Sequence, residues 1–296
     1  MVEAEATATE SDAFVHLHVH SEFSLLDGAA RIPELVARAK AMGQPAVAVT
    51  DHGVLYGAVE LYTAAVAAGI KPILGCEVYM APRSHRDKEG RADRDPHHLV
   101  LLARDNTGYA NLVQLSTIAH LEGHYYKPRI DKELLAAHRE GLICLSGCVG
   151  GELPQAILSG DLDLAERVAR QHLEIFGPDN YFLEIQDHGM TEETAVREGL
   201  LEIARRTGIP LICTNDSHYI DAADAEAHDI LLCLQTGARR EDEKRFRFHG
   251  PHFYMASSDE MRRRFGAYGE AASNTLAVAA RCDWRLELGH EEKESG

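Results

Sequence analysis

Short apolar runs rich in β-branched residues alternate along the chain with longer stretches in which apolar residues recur every three or four positions. The short runs predict buried strands, and the periodic stretches predict amphipathic helices that pack on them. This alternation is typical of β/α units, so we predict an α/β fold whose strands close into a barrel. The seven predicted strands are residues 14–20, 46–52, 71–79, 98–104, 142–148, 181–186 and 210–216.

The connection that precedes the fourth predicted strand differs from the others. Residues 82–97 are polar, contain proline and glycine, and show no helical face. Because a crossover between parallel strands normally needs a helix, we predict that the fourth strand runs antiparallel to the third. Two helical stretches, 112–121 and 131–137, would then restore the direction, and the loop between them, EGHYYKPR, would return to the carboxyl-terminal end of the barrel.

The pattern changes again after about residue 220. A helical stretch, ADAEAHDILLCLQTG, is followed by an arginine-rich loop and a further helical stretch. We therefore predict a barrel over 13–220, a small helical C-terminal appendage over 221–288, and tails at 1–12 and 289–296.

The 296 residues carry a formal net charge of −17, which opposes a general electrostatic attraction to nucleic acid. Either the partner is not a polyanion or bound cations reverse the charge locally, and the 17 histidines favour the second alternative. No apolar run reaches the roughly 18 residues of a membrane helix. The acidic start, MVEAEATATESD, lacks the pattern of a signal peptide. We therefore expect a cytoplasmic protein without a membrane partner.

Metal-binding side chains stand at the ends of most predicted strands. In a β/α barrel, functional groups project from the carboxyl-terminal ends of the strands. Strand alternation places the last two histidines of HLHVH on one face, and likewise the aspartate and histidine of NDSH. His98 begins its strand, so it joins this end only if that strand is reversed. The candidate ligands from this reasoning are His18, His20, His52, Glu77, His98, Cys148, Asp216 and His218.

This mixture of imidazole, carboxylate and thiolate groups is too large for one tetrahedral zinc ion. It suits two or three divalent cations, Zn²⁺ and/or Mn²⁺, with Fe less favoured. The six cysteines show no C-x-x-C pair, and all except Cys148 are interpreted as small buried hydrophobic residues.

Several motifs around these residues resemble one family. They include FVHLHVHSEFSLLDGAA, AVTDHGVLYGAVE, GIKPILGCEVY and TNDSHY. Through them the chain resembles, from about residue 14 to about residue 288, the PHP (polymerase and histidinol phosphatase) domains that begin bacterial replicative DNA polymerases. The resemblance implies a distorted, TIM-barrel-like (β/α)7 fold that holds three metals. It adds Asp27 to the eight candidates above, which makes nine implied ligands.

From the metal site we predict two-metal phosphodiester hydrolysis, with Asp216, His218, His20 and Glu77 as catalytic residues. The resemblance implies a 3′→5′ exonuclease that proofreads new DNA, so the implied partner is a single-stranded or mismatched DNA 3′ end. In a full-length protein the partners would include the polymerase palm, the sliding clamp and other replisome subunits. We expect an excised N-terminal domain that cannot extend a primer alone.

Two alternatives stay open from the sequence. The metals could serve only the structure, which would then support a polymerase, or the substrate could be a small phosphate ester, as for histidinol phosphatase.

Other residues are assigned supporting roles. Lys127 and Arg129, in the loop EGHYYKPR, are candidate substrate-binding residues, although a solvated basic loop is an equal interpretation. Asp51, Asp187 and His188 are predicted to orient ligands.

Overall fold

The computed structural model describes residues 13–289, in which a curled sheet of seven strands is surrounded by helices. The predicted tails, 1–12 and all but the first residue of 289–296, lie outside the described residues. The strands are β1 (Ala46–Val49), β2 (Lys71–Met80), β3 (His97–Ala103), β4 (Arg129–Ile130), β5 (Leu142–Leu145), β6 (Tyr181–Ile185) and β7 (Leu211–Cys213). The helices are α1 (Ile32–Ala41), α2 (Ala58–Ala68), α3 (Arg91–Arg94), α4 (Asn106–Leu121), α5 (Lys132–Ala137), α6 (Glu152–Leu158), α7 (Leu162–Phe176), α8 (Thr191–Thr207), α9 (Ala225–Thr236), α10 (Ser258–Phe265) and α11 (Ser273–Arg281).

The sheet has the order β1-β2-β3-β5-β6-β7, and β4 pairs with β2 beside this path. β3 is antiparallel to both of its neighbours, whereas β1, β2, β5, β6 and β7 pair in parallel. The predicted reversal of the fourth strand is therefore confirmed. Its register sets His98 opposite Tyr79, so that the start of β3 lies beside the end of β2.

Of the seven predicted strands, the first one is wrong. Residues 14–20 are extended but form no regular strand, because their hydrogen bonds are divided between two sides. The His16 carbonyl accepts from the Ala48 N–H (3.0 Å), and the His18 carbonyl accepts from the Ser217 N–H (3.2 Å). The segment thus lies between the two edges of the sheet, and the seventh strand is instead the two-residue β4.

Apolar residues pack on both faces of the sheet because successive strand residues point to opposite sides. Along β3, Val100 and Leu102 join an inner cluster, whereas Leu99 and Leu101 join the larger cluster under the helices. Burying each such side chain contributes about 1.5–3 kcal/mol. The interior of the sheet is therefore largely a packed apolar core, with buried carboxylates of Glu77 in β2 and Glu184 in β6.

Helix ends follow local sequence signals. The glycines predicted to end helices, Gly43, Gly69 and Gly208, all have positive φ (68°, 74° and 73°), a conformation that costs glycine little. At the start of α4 the Asp105 carboxylate accepts from the Gly108 N–H (3.0 Å), and Asp131 caps α5 in the same way.

The segment after residue 220 is held on the sheet by hydrogen bonds to its backbone carbonyls from residues close to the strand ends. The Asn215 side chain donates to the Tyr254 carbonyl (2.7 Å), and the His218 N–H donates to the Phe253 carbonyl (2.7 Å). The imidazole Nε2 of the fully buried His16 lies 2.8 Å from the Ala256 carbonyl. These contacts place the segment beside residues 215–218, where several candidate ligands lie. The division into a barrel over 13–220 and an appendage over 221–288 stays a prediction.

Candidate metal centre

The structure gathers all nine predicted ligands at one end of the curled sheet. They come from segment 14–20 and the loop that follows it, from the loops after β1, β5 and β7, from β2, and from the reversed start of β3. Each has a donor atom within 4.0 Å of a donor atom of another member. The members are His18, His20, Asp27, His52, Glu77, His98, Cys148, Asp216 and His218.

The deepest group consists of His18, His20 and Asp216. The two Nε2 atoms lie 3.1 Å apart, and each is 3.2 Å from Oδ1 of Asp216. Both histidines are fully buried. Three donor atoms therefore face one point from three directions.

Glu77 is the centre of a second group. Its Oε2 lies 2.7 Å from His52 Nδ1, and its Oε1 lies 3.0 Å from His98 Nδ1. The Cys148 sulfur is 3.6 Å from both Glu77 Oε1 and His98 Nδ1. Glu77 also reaches the first group, since its Oε1 lies 3.5 Å from His18 Nε2.

A third group combines His20, His52 and His218. The rings of His52 and His218 each stack on that of His20 with centroids 4.2 Å apart, and their own centroids are separated by 6.2 Å. Asp27 completes this side, with Oδ2 3.4 Å from His52 Nε2 and Oδ1 4.0 Å from His218 Nε2.

Five donor atoms in these groups are buried without a hydrogen-bond partner among the described residues. Since buried polar atoms are normally paired, so many orphans at one place call for an explanation. Two of them, His52 Nδ1 and Glu77 Oε2, lie only 2.7 Å apart, so a proton or a cation is needed to join them. The donor set therefore suits divalent cations. The five atoms are Asp27 Oδ1, His52 Nδ1, Glu77 Oε2, Asp216 Oδ1 and His218 Nε2.

Electrostatics lead to the same conclusion. Burial opposes a charge on His18, but Asp216, Glu184 and Glu77 outweigh it and raise its pKa well above the ordinary value. For His52, burial is likewise outweighed by Glu77 and Asp27, which raise its pKa to about 10. The carboxylates thus draw positive charge into the cluster, and divalent cations would supply the same charge.

His20 is the exception among these histidines. Burial lowers its pKa to about 3, with the neighbouring His52 and His218 acting in the same direction. A neutral imidazole is the form that binds metal.

Hydrogen bonds from outside the groups orient the imidazoles. His18 Nδ1 lies 2.7 Å from Glu184 Oε1, and His20 Nδ1 lies 2.9 Å from Ser24 Oγ. The Ser24 hydroxyl donates to Asp51 (2.8 Å), so it accepts from His20. These partners place the proton of both rings on Nδ1 and leave Nε2 free to bind a cation.

Asp216 itself adopts an unusual backbone conformation. Its φ is 42°, a region that non-glycine residues seldom occupy, with aspartate and asparagine less disfavoured than most. The conformation brings its carbonyl within 2.7 Å of His218 Nδ1, which directs His218 Nε2 towards Asp27. Strained residues of this kind cluster at functional sites.

The prediction from sequence did not include Glu184 as a supporting residue. This carboxylate is buried in β6 and accepts from His18, from the Gly147 N–H (3.0 Å), from the Thr214 hydroxyl (2.5 Å) and from the Gln186 amide (3.2 Å). A signal was present, because a glutamate within the apolar strand YFLEI needs partners when buried.

The two predicted substrate-binding residues have different surroundings. Lys127 lies at the mouth, with Nζ 5.1 Å from the centre of the Tyr79 ring, and that ring stacks at 5.8 Å on His52. The predicted role of Arg129 is wrong, because its side chain is fully buried and donates to the carbonyls of Gly123 (3.0 Å), Asp93 (2.7 Å), His85 and Asp87. Arg129 instead fixes the connection between β2 and β3.

Of the other residues predicted to orient ligands, Asp51 and His188 support the site and Asp187 does not. Asp51 accepts from Ser21 as well as from Ser24, and so holds the loop that follows His20. His188 supports Asp216 indirectly, because its Nε2 lies 2.9 Å from the carbonyl of Asn215, the residue before Asp216. Asp187 contacts none of the nine candidates; it lies 3.7 Å from Arg197.

The geometry thus defines a mixed α/β domain that carries a cluster of metal-binding side chains at one end of its sheet. The family model of the PHP domain matches residues 16–188, so the chain belongs to the PHP domain family. This confirms the resemblance drawn from the motifs.

Several curated relatives carry the same name. The chain is 50% identical over 275 residues to a DNA polymerase III subunit alpha of Treponema pallidum, covering 93% of this chain and 24% of the relative. It is 48% identical over 283 residues to that of Thermus aquaticus, with coverages of 93% and 23%. The chain therefore spans about a quarter of the length of the relatives it matches.

Among solved structures, an amidohydrolase from Chromobacterium violaceum matches with a TM-score of 0.42 and 18% identity, over 70% of this chain and 88% of the other. That likeness is too weak to support an argument. Within residues 13–289, no helix combines the length and apolar character that crossing a membrane requires.

Proposed function

We propose that this chain is a metal-dependent phosphodiesterase whose substrate is the 3′ end of a DNA strand. The observation that carries the proposal is the convergence, on one mouth of the sheet, of five buried donor atoms that form no hydrogen bond among the described residues. The name shared by the relatives supports DNA as the substrate class, and a polymerase palm, sliding clamp and other replisome subunits as partners in a longer protein. The proposed activity is 3′→5′ exonucleolytic proofreading.

Two or three divalent cations, Zn²⁺ and/or Mn²⁺, are the proposed cofactors, held by the nine candidate ligands. When bound, they would supply Lewis-acid activation of water and neutralise negative charge on the phosphoryl oxygens. Donors that mix imidazole, carboxylate and one thiolate fit these ions better than Mg²⁺ or Ca²⁺, which prefer oxygen.

The chain's own residues would orient and shield the reaction. His20, Glu77, Asp216 and His218 are the proposed catalytic residues, because each belongs to one of the three donor groups and together they join all three. Glu184 and Ser24 would keep the Nε2 lone pairs of His18 and His20 directed at the cations. Lys127, at the open side beside Tyr79, would attract the phosphate.

The test is the metal-dependent degradation of a 5′-labelled oligonucleotide with a mismatched 3′ end. We expect a ladder that shortens from the 3′ end in Mn²⁺ or Zn²⁺, and a loss of roughly 100-fold or more in Asp216→Asn. Asparagine is chosen because it tolerates the positive φ of residue 216. The matched control is Asp163→Asn, since the Asp163 side chain is 83% exposed on α7.

Two outcomes would contradict the proposal. If folded, metal-loaded wild type leaves the oligonucleotide intact, the metals serve the structure of the isolated chain. If it hydrolyses only a small phosphate monoester, the substrate class is wrong.

A further inference from the structure

A row of aromatic rings leads from the metal-binding mouth to the surface along the loop 238–252. The His218 ring contacts Phe248, with centroids 4.7 Å apart, and Phe248 contacts Phe246 at 5.8 Å. Phe246 is 47% exposed. A single exposed phenylalanine needs no explanation, but this one continues a contact path that starts at a candidate ligand.

Cations flank the exposed end of this row. Lys244 and Arg247 stand on either side of Phe246 in the sequence, and both are exposed. Across residues 13–289, neither side chain forms an ion pair or hydrogen bond. Arg245 differs, because both of its terminal nitrogens bind the Asp229 carboxylate (2.6 and 2.7 Å) and its side chain is only 4% exposed.

The loop is fixed at both ends, so these side chains have a defined position. Arg245 also donates to the Arg240 carbonyl (3.1 Å), which closes the loop against α9. At the other end, the Asn215 amide donates to the carbonyls of His252 (2.8 Å) and Tyr254 (2.7 Å). Asn215 precedes Asp216, so the loop is attached directly beside a candidate ligand.

Aromatic faces alternating with free cations are what a single-stranded nucleic acid requires, because bases stack on the rings and phosphates bind the cations. The carboxylates of 241–243 lie before this stretch in the sequence and would repel phosphates, which restricts the favourable part to 244–248.

We propose that Lys244, Phe246, Arg247 and Phe248 bind single-stranded DNA as it enters the metal-binding mouth. A base would stack on Phe246, the two cations would contact phosphates, and Phe248 would hold the nucleotide nearest His218. The inference rests on the proposed function, because it takes the substrate to be a DNA strand. It adds a binding surface that the nine candidate ligands do not include.

Binding can be measured without hydrolysis. The probe is a fluorescent thymidine oligonucleotide of about ten nucleotides with phosphorothioate linkages, titrated with the full chain in Mn²⁺ while anisotropy is recorded. The variants are Phe246→Ala and the double variant Lys244→Gln/Arg247→Gln. Their matched controls are Leu234→Ala, since Leu234 is 75% exposed on α9, and Arg139→Gln, before β5 at the opposite end of the sheet.

We expect Phe246→Ala to weaken binding by roughly 5- to 100-fold, the range of one base–aromatic stack. The double cation variant should reduce the slope of log K against log salt by about 1.4, since each phosphate contact contributes roughly 0.7 for a single strand. Both controls should bind as wild type does.

The inference is overturned if Phe246→Ala binds within twofold of wild type, or if wild type does not bind the probe. Hydrolysis of bis(p-nitrophenyl) phosphate by wild type tests the chemistry separately. Selective loss of DNA binding in the variants, without any hydrolysis by wild type, would support the binding surface and refute the proposed activity. Hydrolysis of the small diester without DNA binding would overturn the binding surface and support the diester chemistry alone.

Discussion

Glu184 offers a sharp test of how the metal centre is organised, because it should control metal affinity without touching the metal. Its carboxylate accepts four hydrogen bonds, from His18, Gly147, Thr214 and Gln186. A carboxylate has about four lone-pair positions, whereas the carbonyl oxygen of glutamine has two. In Glu184→Gln, about two donors therefore lose their acceptor.

Of the four donors to Glu184, His18 can respond by changing its tautomer. In the variant, the new amide group would donate to His18 Nδ1, and the ring proton would move to Nε2. The lone pair that faces His20 and Asp216 would then be lost. Loss of such an outer hydrogen bond typically weakens metal binding by 10- to 100-fold, which corresponds to about 1.4–2.8 kcal/mol.

Competition with a chromophoric zinc chelator measures this effect. The control is Glu198→Gln, an exposed glutamate of α8. Folding is followed by the fluorescence of Trp284, which is the single tryptophan of the sequence and packs between Tyr62 and Tyr109. If folded Glu184→Gln binds zinc with wild-type affinity and stoichiometry, the argument that Glu184 sets the tautomer of His18 is refuted.

Three further predictions follow from other contacts. Ser24→Ala removes the link between Asp51 and His20 Nδ1 and should weaken zinc binding about tenfold. The control Ser273→Ala, at the exposed start of α11, should bind zinc as wild type does, and chelator competition distinguishes the two variants. Adding metal at 100 times its dissociation constant should stabilise the folded chain by about 2.7 kcal/mol, seen as a rise in Tm that EDTA reverses; an unchanged Tm would argue against bound cations. Arg129→Met should reduce the free energy of unfolding, measured in urea, by about 3–5 kcal/mol, because it leaves buried carbonyls without donors. An effect confined to DNA binding would instead support the phosphate-binding role that was predicted for Arg129.

Much of the fold was predictable because two independent signals coincided at β3. The connection 82–97 has no helical face, and His98 stands at the start of its strand instead of the end. Either signal alone is weak, but a reversed strand explains both. The antiparallel pairing of β3 with β2 and β5 has this origin.

The sequence was less informative where the backbone partners are distant. Residues 14–20 have the apolar pattern of a strand, and that pattern records burial, not which carbonyls are bonded. Their bonds to Ala48 on one side and Ser217 on the other depend on how the sheet curls. The role predicted for Arg129 was wrong for a related reason: its four carbonyl partners come from the connection between β2 and β3 and from Gly123, and the local sequence marks none of them.

The parts of the backbone that carry the deepest ligands are also the least regular ones. His18 and His20 lie on a segment without regular strand pairing, and Asp216 has a φ of 42° just beyond β7. Such strain costs of order 1–3 kcal/mol, and the buried polar atoms without hydrogen bonds add an unfavourable term in the absence of cations. Bound metal would offset both locally, while the core under α7 depends on the apolar packing of Val168 and Ala169, on an element that carries no candidate ligand. We therefore expect metal to slow amide hydrogen exchange strongly at residues 16–20 and 214–218 and hardly at all at residues 168–172 of α7. If exchange slows equally in both regions under conditions that report local opening, the metal stabilises the domain as a whole and the mouth is not a separately strained unit.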